Sequence, residues 1–426
     1  MTYLEPAKEI NAIATEVLVI GSGPAGIGAA LSSARLGMKT IIVEQLGTLG
    51  GISTSGMMSH WTGDCNSRIY HEILEESAKR NEDGQITVQI DPEKLKFQYL
   101  EMLTASGVEI MLYTLASDVI LDGNTLKGVI VENKSGRTAI FADTVIDASG
   151  DGDIAAKAGV PYVLGREDDH KMQPATLMFK VGGVDKSRAV LLPSFESTYE
   201  TDKGELQALA KKHLPAPAGH VLLYDTTLPG VITCNMTNAT DIDGTKNEDI
   251  VRAERICRGQ IDKIVQFLRE FVPGFEQCFL ISTASLMGIR ETRHFEGCYQ
   301  LTKDDILCAK VFDDWIVRDA KFNFDVHNLS GAGLDKTGVQ KHFPQKKGYT
   351  IPLGCFLPKK IEHLLLCGRN ISGTHMAHSN FRVMPICLGM GEGCGAVAAY
   401  AKKFNTPYRD VDVKKIQTYL QDGTQF

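Results

Sequence analysis

The 426-residue chain is 43% hydrophobic and 23% charged, the balance of a folded globular protein with room for two or three domains. Its net charge of −7 argues against a basic nucleic-acid surface, and no apolar run approaches the roughly 18 residues of a membrane span. Glycine is in excess: there are 41, where an average composition gives about 30. The ten cysteines form no C-x-x-C pair, so zinc and iron–sulfur spacings are missing and no metal site is expected. Met1–Ile13 has no apolar h-region, so the expectation is a cytoplasmic protein with reduced thiols.

Thr15–Ile20 (TEVLVI) reads as a strand buried on both faces, followed by the glycine-rich turn Gly21–Gly26. A helix from Pro24 to about Leu36 and a second buried strand, Lys39–Glu44, complete the opening βαβ unit of a dinucleotide-binding fold. Helical patterns follow at Ser67–Arg80 and Asp91–Ala105. Short β runs between Val108 and Ile146 predict a β-meander returning to a last strand, and Asp151–Gly159 a short helix. From about Pro161 to Thr350 strand-like runs alternate with one long amphipathic helix, in which Ile250, Ala253, Cys257, Ile261, Ile264, Leu268 and Phe271 share a face. Glu362–Cys367 is again a buried strand, and Leu388–Lys403 a helix rich in glycine and alanine. The reading is α/β: a Rossmann-like domain split between residues 1–160 and 351–426, around an inserted α+β domain at 161–350.

In Gly21-x-Gly23-x-x-Gly26, Gly21 permits the tight turn, Gly23 lets backbone approach a pyrophosphate, and Gly26 lets helix and strand pack closely. The helix N-terminus offers oriented N–H groups to the phosphates. Glu44, ending the second strand, suits the hydroxyls of an adenosine ribose and repels a 2′-phosphate. Three further glycine-bearing stretches stand out: Gly47–Gly56; Asp147–Asp153, where a buried strand ends; and Cys367–Gly373 with Gly389–Gly395. Glycine costs about 1 kcal/mol per helical position relative to alanine, so four in Gly389–Gly395 imply close backbone approach to something.

These segments together (VLVIGSGPAGIGAA, VEQLGTLGGISTSGMMSHWTG, TVIDASGDGDIAAKAG, MGIRETRHFEG, and IPLGCFLP through LLLCGRNISGTHMAHSNFRVMPICLGMGEGCGAVAA) resemble the FAD-dependent oxidoreductase family with a glutathione-reductase-type FAD domain. More distantly they are similar to fumarate reductase and succinate dehydrogenase flavoprotein subunits. The resemblance implies that the split domain holds FAD, non-covalently, and that the insert is a substrate domain. It implies that Gly21, Gly23 and Gly26 hold the pyrophosphate and Glu44 the ribose, with Gly51 and Ser53 beside the ribityl and flavin. Gly150 and Asp151 would close over the nucleotide half, and Gly368 and Arg369 would meet the ribityl–pyrophosphate region. A helix beginning near Gly391 would aim its positive end at the flavin.

Candidate catalytic residues are Arg290 in GIRETRH, His375 and His378 on the stretch before the last glycine-rich helix, and Arg382. Arginine fixes carboxylates or carbonyls, and histidine moves protons near neutral pH. For Arg290, a plain ion pair with Glu291 is the alternative. The expected activity is hydride transfer between a small carbonyl-, hydroxyl- or carboxylate-bearing substrate and flavin N5. No second GxGxxG in a βαβ context is present, so electrons come from the substrate, a second substrate or an unidentified partner. Non-redox chemistry, RNA modification, or service as an electron-transfer subunit of a larger complex are the alternatives. Homo-oligomerisation is compatible with each of these readings, and the acidic balance argues against a nucleic-acid partner.

Overall fold

A computed structural model describes residues 2–338 and 347–426. The chain opens with β1 (Asn11–Ile20), α1 (Pro24–Arg35) and β2 (Thr40–Val43). Val17–Ile20 and all of β2 are buried, as two apolar runs without alternation require of inner parallel strands. β1 and β2 are parallel, pairing Val17 with Thr40 and Ile20 with Val43. Helix α2 (Arg68–Ser77) is capped by Ser67, whose side chain accepts from the Tyr70 N–H. It stops short of Arg80 because Ala78–Arg80 leaves to pair with Ile86–Ile90. Helix α3 (Pro92–Ala105) is capped by Asp91.

Strand β3 (Glu109–Met111) extends the parallel sheet, and β4 (Leu115–Asp122), β5 (Thr125–Asn133) and β6 (Gly136–Asp147) form the antiparallel meander. The expected runs RTAIFAD and TVIDAS are one strand, β6, which lies parallel to β1 from Thr138 to Asp147. Along its other edge β5 pairs with the first half of β6, and a short strand, Leu364–Leu366, takes over beside Val145–Asp147. The sheet order is therefore β3-β2-β1-β6-β5-β4, with Leu364–Leu366 joining β6.

The middle of the chain builds a second, antiparallel sheet from β7 (Phe179–Gly182), β8 (Leu223–Asp225), β9 (Ile232–Cys234) and β10 (Phe279–Thr283), in the order β8-β9-β7-β10. The long amphipathic helix α4 (Asn247–Phe271) turns Ala253, Cys257, Ile261, Ile264 and Leu268 into that core. The core's members run from Ala175 to Met287, whereas Phe295, Leu301, Trp315 and Phe324 already pack with the first sheet. The chain thus returns to the first core well before residue 350.

After the strand Leu364–Leu366, which we call β11, come α5 (His375–Phe381) and α6 (Met384–Phe404). Helix α6 starts two turns earlier than the expected start near Gly391, with Pro385 in its first turn and Val383 as its cap. Gly391 lies inside the helix, and a Cβ there would sit 2.0 Å from the Ala25 carbonyl oxygen; one at Gly395 would sit 2.5 Å from that of Ala29. The close approach made by this part of the glycine-rich stretch is therefore to α1, backbone against backbone, and Gly391 serves packing at the position where its backbone was expected to meet flavin. Among the described residues no single helix is long and apolar enough to cross a membrane. All ten cysteines are free thiols.

Candidate active site

The turn between β1 and α1 is built as its glycines suggest. Gly21 has φ +92°, and a Cβ there would strike the Ala148 carbonyl at 2.5 Å. A Cβ on Gly26 would overlap the Gly21 carbonyl, so that glycine closes helix on turn. Gly23 differs: among the described residues nothing lies within 4 Å of where its Cβ would be, and no side chain caps the N-terminus of α1. That leaves the first N–H groups of the helix facing an open cradle. Gly51 (φ +53°) overhangs it, its Cβ position 3.1 Å from the Gly23 Cα. Ser53 does not face it, because its buried hydroxyl donates to the Gly50 carbonyl at 2.6 Å.

Glu44 is buried beside this turn. Its Oε2 accepts from the Ser22 N–H (2.9 Å) and hydroxyl (2.6 Å), and its Oε1 from the Leu46 N–H (2.8 Å). A carboxylate has about four lone-pair sites, so Oε1 keeps capacity for a further donor. Across the cradle, Arg369 forms a clamp. Its Nε donates to the Gly150 carbonyl at 2.9 Å, and its Nη2 meets Asp151 Oδ1 at 2.7 Å. The same carboxylate oxygen accepts from the Thr292 hydroxyl at 2.6 Å, which ties the clamp to the GIRETRH segment. Gly368 (φ +92°) turns the chain so that Arg369 follows β11 closely, with only Ala25 near its missing side chain.

The candidate histidines meet in one buried cluster. Glu291 Oε1 accepts from His294 Nε2 at 2.8 Å and from His375 Nδ1 at 2.6 Å, while Oε2 accepts from the Gln173 N–H at 3.0 Å. The outer nitrogens, His294 Nδ1 and His375 Nε2, are buried with no hydrogen-bond partner among the described residues, as is His378 Nδ1. Burial alone would raise the Glu291 carboxyl, but the two imidazoles outweigh it and hold Glu291 well below the usual carboxylate range. Burial, and then the neighbouring His294, pushes His378 well below the usual histidine range. Its ring meets that of His294 edge-on at 4.9 Å. Glu291, His294 and His378 bring ligating atoms within 4.8 Å of one another. Yet Glu291 Oε1 is already taken by two N–H donors, and the guanidinium groups of Arg382 and Arg369 act on His378 with the sign that repels a cation. His294 also lines a cavity of about 200 Å³ with Glu167 and Ser372.

A second group adjoins the first through Gln173, whose side-chain oxygen accepts from the His327 N–H at 3.2 Å and lies 3.4 Å from Arg382 Nη2. Arg382 pairs with Asp325 at 3.1 Å, and Asp325 contacts His327 at 3.3 Å. Arg290 stands beside them and does not pair with Glu291; its Nη1 donates to the Pro174 carbonyl. Burial first, then the Arg382 charge, lowers Arg290 to about 10, so it remains a cation at neutral pH. The histidines here are neutral: burial lowers His327 to about 4 and His220 to about 3. His60 stacks on Tyr224 at 5.2 Å and Trp61 on Tyr70 at 6.0 Å, so both rings following the Gly47–Gly56 stretch serve packing. Sequence reasoning passed over Gln173, His220, Asp325 and His327; of these only Asp325-x-His327, two chemistry-bearing side chains on one face of an extended run, carried a local signal.

Comparison with known proteins bears on the fold and the family. The chain is 28% identical to digeranylgeranylglycerophospholipid reductase of Picrophilus torridus over 174 residues, 36% of this chain and 44% of that protein. It is 30% identical to the mitochondrial dihydrolipoyl dehydrogenase of Schizosaccharomyces pombe over 185 residues, 41% of this chain and 35% of that one. The chain thus spans less than half the length of either curated relative. A geranylgeranyl bacteriochlorophyll reductase-like protein from Thermoplasma acidophilum has the same fold, with a TM-score of 0.51 at 12% identity over 97% of this chain and 85% of that one. The sequence model of FAD dependent oxidoreductases matches residues 16–420, nearly the whole length, and the chain belongs to that family.

Proposed function

We propose that this FAD-dependent oxidoreductase transfers hydride between flavin N5 and a small substrate bearing a carbonyl, hydroxyl or carboxylate group. The residues present fit the cofactor: the cradle at Gly23 is open, and the N-terminus of α1 has no side-chain cap. In this reading Gly21, Gly23 and Gly26 hold the pyrophosphate, Glu44 Oε1 takes a ribose hydroxyl, and Gly51 lies alongside. The Gly150–Asp151–Arg369 clamp with Gly368 closes the other side. Bound FAD supplies the centre that accepts or donates hydride.

The observation that carries the reading is Glu291 held between His294 and His375. An ionised carboxylate only accepts, so it fixes the proton of His375 on Nδ1 and leaves Nε2 as a lone pair. His375 can then take a hydroxyl proton from a substrate being oxidised, or return one to a carbonyl being reduced, with the imidazolium stabilised by Glu291. His294, on the other side of the same oxygen and on the wall of a cavity, offers a second site for the proton. Arg382, neutralised by Asp325, orients the Gln173 side chain. The free thiols suit a cytoplasmic setting.

Anaerobic mixing of the FAD-loaded protein with a panel of alcohols, hydroxy acids, aldehydes and ketones tests this reading. At least one alcohol or hydroxy acid should bleach the flavin's visible absorption, or a carbonyl partner should reoxidise the pre-reduced protein. A flavin whose redox state no member of the panel changes in either direction overturns it.

A further inference from the structure

We propose that Arg290 docks a carboxylate, which makes small organic acids the substrate class of this site. The inference rests on the hydride-transfer reading for what happens to the acid once it is bound, and on Arg290 itself for the binding.

The arginines around the site differ in one respect. Arg369 is paired with Asp151 at 2.7 Å, Arg293 with Asp153 at 2.8 Å and Arg382 with Asp325 at 3.1 Å. Among the described residues Arg290, 8% exposed, has no carboxylate within ion-pair distance, and its one hydrogen bond there is to the Pro174 carbonyl. Residues 339–346 (VQKHFPQK) contain neither aspartate nor glutamate, so they hold no carboxylate to pair with it. Asp325 favours the Arg290 cation from a distance but is itself in contact with Arg382 and His327, and a buried guanidinium with no carboxylate in contact is costly, since buried charges are as a rule paired.

The local charge count has the same sense. Arg290 and Arg382 are cations, Asp325 is one anion, and His220 and His327 are neutral at pH 7. Glu291 is engaged elsewhere, by two imidazoles and a backbone N–H. Among the described residues one positive charge is left uncompensated, which a monoanionic carboxylate balances and a phosphate dianion exceeds. The planar fork of arginine also matches the two oxygens of a carboxylate. Beyond Arg382 and Asp325, the groups that act on the guanidinium are the Tyr224 hydroxyl and the Cys257 thiol, which burial raises and so keeps uncharged at neutral pH.

The test titrates FAD-loaded protein at constant ionic strength with acetate, lactate and succinate, and with acetamide, lactamide and inorganic phosphate. Calorimetry and the perturbation of the flavin spectrum report binding. The carboxylates should bind and the amides should not, although their shapes match. R290M should weaken carboxylate binding about 30-fold or more, and R290K, which keeps the charge without the fork, should weaken it less. Retained flavin and a near-native melting temperature certify the fold; if R290M does not fold, R290K and the acid–amide contrast decide. Acids and amides binding alike, no acid binding at all, phosphate binding in preference, or a folded R290M that binds acetate normally each overturns the proposal. An acid that binds through Arg290 but never changes the flavin's redox state sinks the hydride-transfer reading and leaves the docking site standing. An uncharged alcohol that bleaches the flavin where no acid binds does the reverse.

Discussion

His375 Nδ1 lies 2.6 Å from Glu291 Oε1, in a pair that is essentially sealed from solvent. The same oxygen holds His294, so one carboxylate sets the proton position of two imidazoles whose outer nitrogens have no partner among the described residues. On the proposed function this divides the roles: His375 handles the proton that moves, and Glu291 acts through it as a positioning residue.

E291Q should therefore retain FAD and lower kcat/KM about a hundredfold or more, the scale of a positioned general acid–base. The acidic limb of its pH profile should move to lower pH, because the imidazolium loses its counter-charge. A purely structural role for Glu291 would lower activity without moving that limb, so an E291Q profile parallel to the wild type rejects the assignment.

Two glycines that look alike in the sequence should part company on substitution. A Cβ at Gly391 would press into the Ala25 carbonyl at 2.0 Å, and backbone there has little room to yield. G391A should cost about 3 kcal/mol, the upper part of the usual overpacking range, and lower the melting temperature of apo and FAD-loaded protein alike. At Gly23 the Cβ enters open space with ordinary extended geometry (φ −61°, ψ 177°), so G23A should leave the apo protein's melting temperature nearly unchanged. The methyl group would then stand where a pyrophosphate must approach, and FAD affinity should fall. Equal losses of apo stability in the two variants would contradict this division.

The contrast also shows what the sequence makes legible. The βαβ opening, the meander and the long amphipathic helix α4 could be read because their signals are local: an apolar run, a turn glycine, a three- and four-residue step. The capping of α2 by Ser67 and of α3 by Asp91 is local in the same way. The purpose of the Gly389–Gly395 spacing could not be read, since glycine admits a ligand or a helix equally well and the choice depends on α1, distant in sequence. The candidate site divides likewise. Arg290, His375, His378 and Arg382 were chosen by residue type near glycine-rich segments. Their partners Gln173, Asp325 and His327 become visible only once the fold brings Gln173 between Glu291 and Arg382.

Stability should fall with acid in a window set by buried neutral histidines. His220 donates through Nε2 to the Asn235 carbonyl at 3.1 Å, and its Nδ1 is buried without a partner among the described residues, the ring lying edge-on to Phe195 at 5.1 Å. Burial first, with the neighbouring His327 adding to it, lowers His220 from 6.5 to about 3. Between those values the unfolded chain binds a proton that the folded chain refuses. This contribution is therefore intact above pH 6.5 and declines as pH falls through the window, at about 1.4 kcal/mol per pH unit. H220Q keeps a donor where Nε2 stands and cannot be protonated. Its unfolding free energy, followed by denaturant titration from pH 7 to pH 5, should have a pH slope shallower than the wild type by about one proton below pH 6.5. Other groups titrating in the same range, such as Asp147, which burial raises to about 6, act on both proteins and cancel in the difference. Parallel curves would mean that His220 is protonated in the folded state.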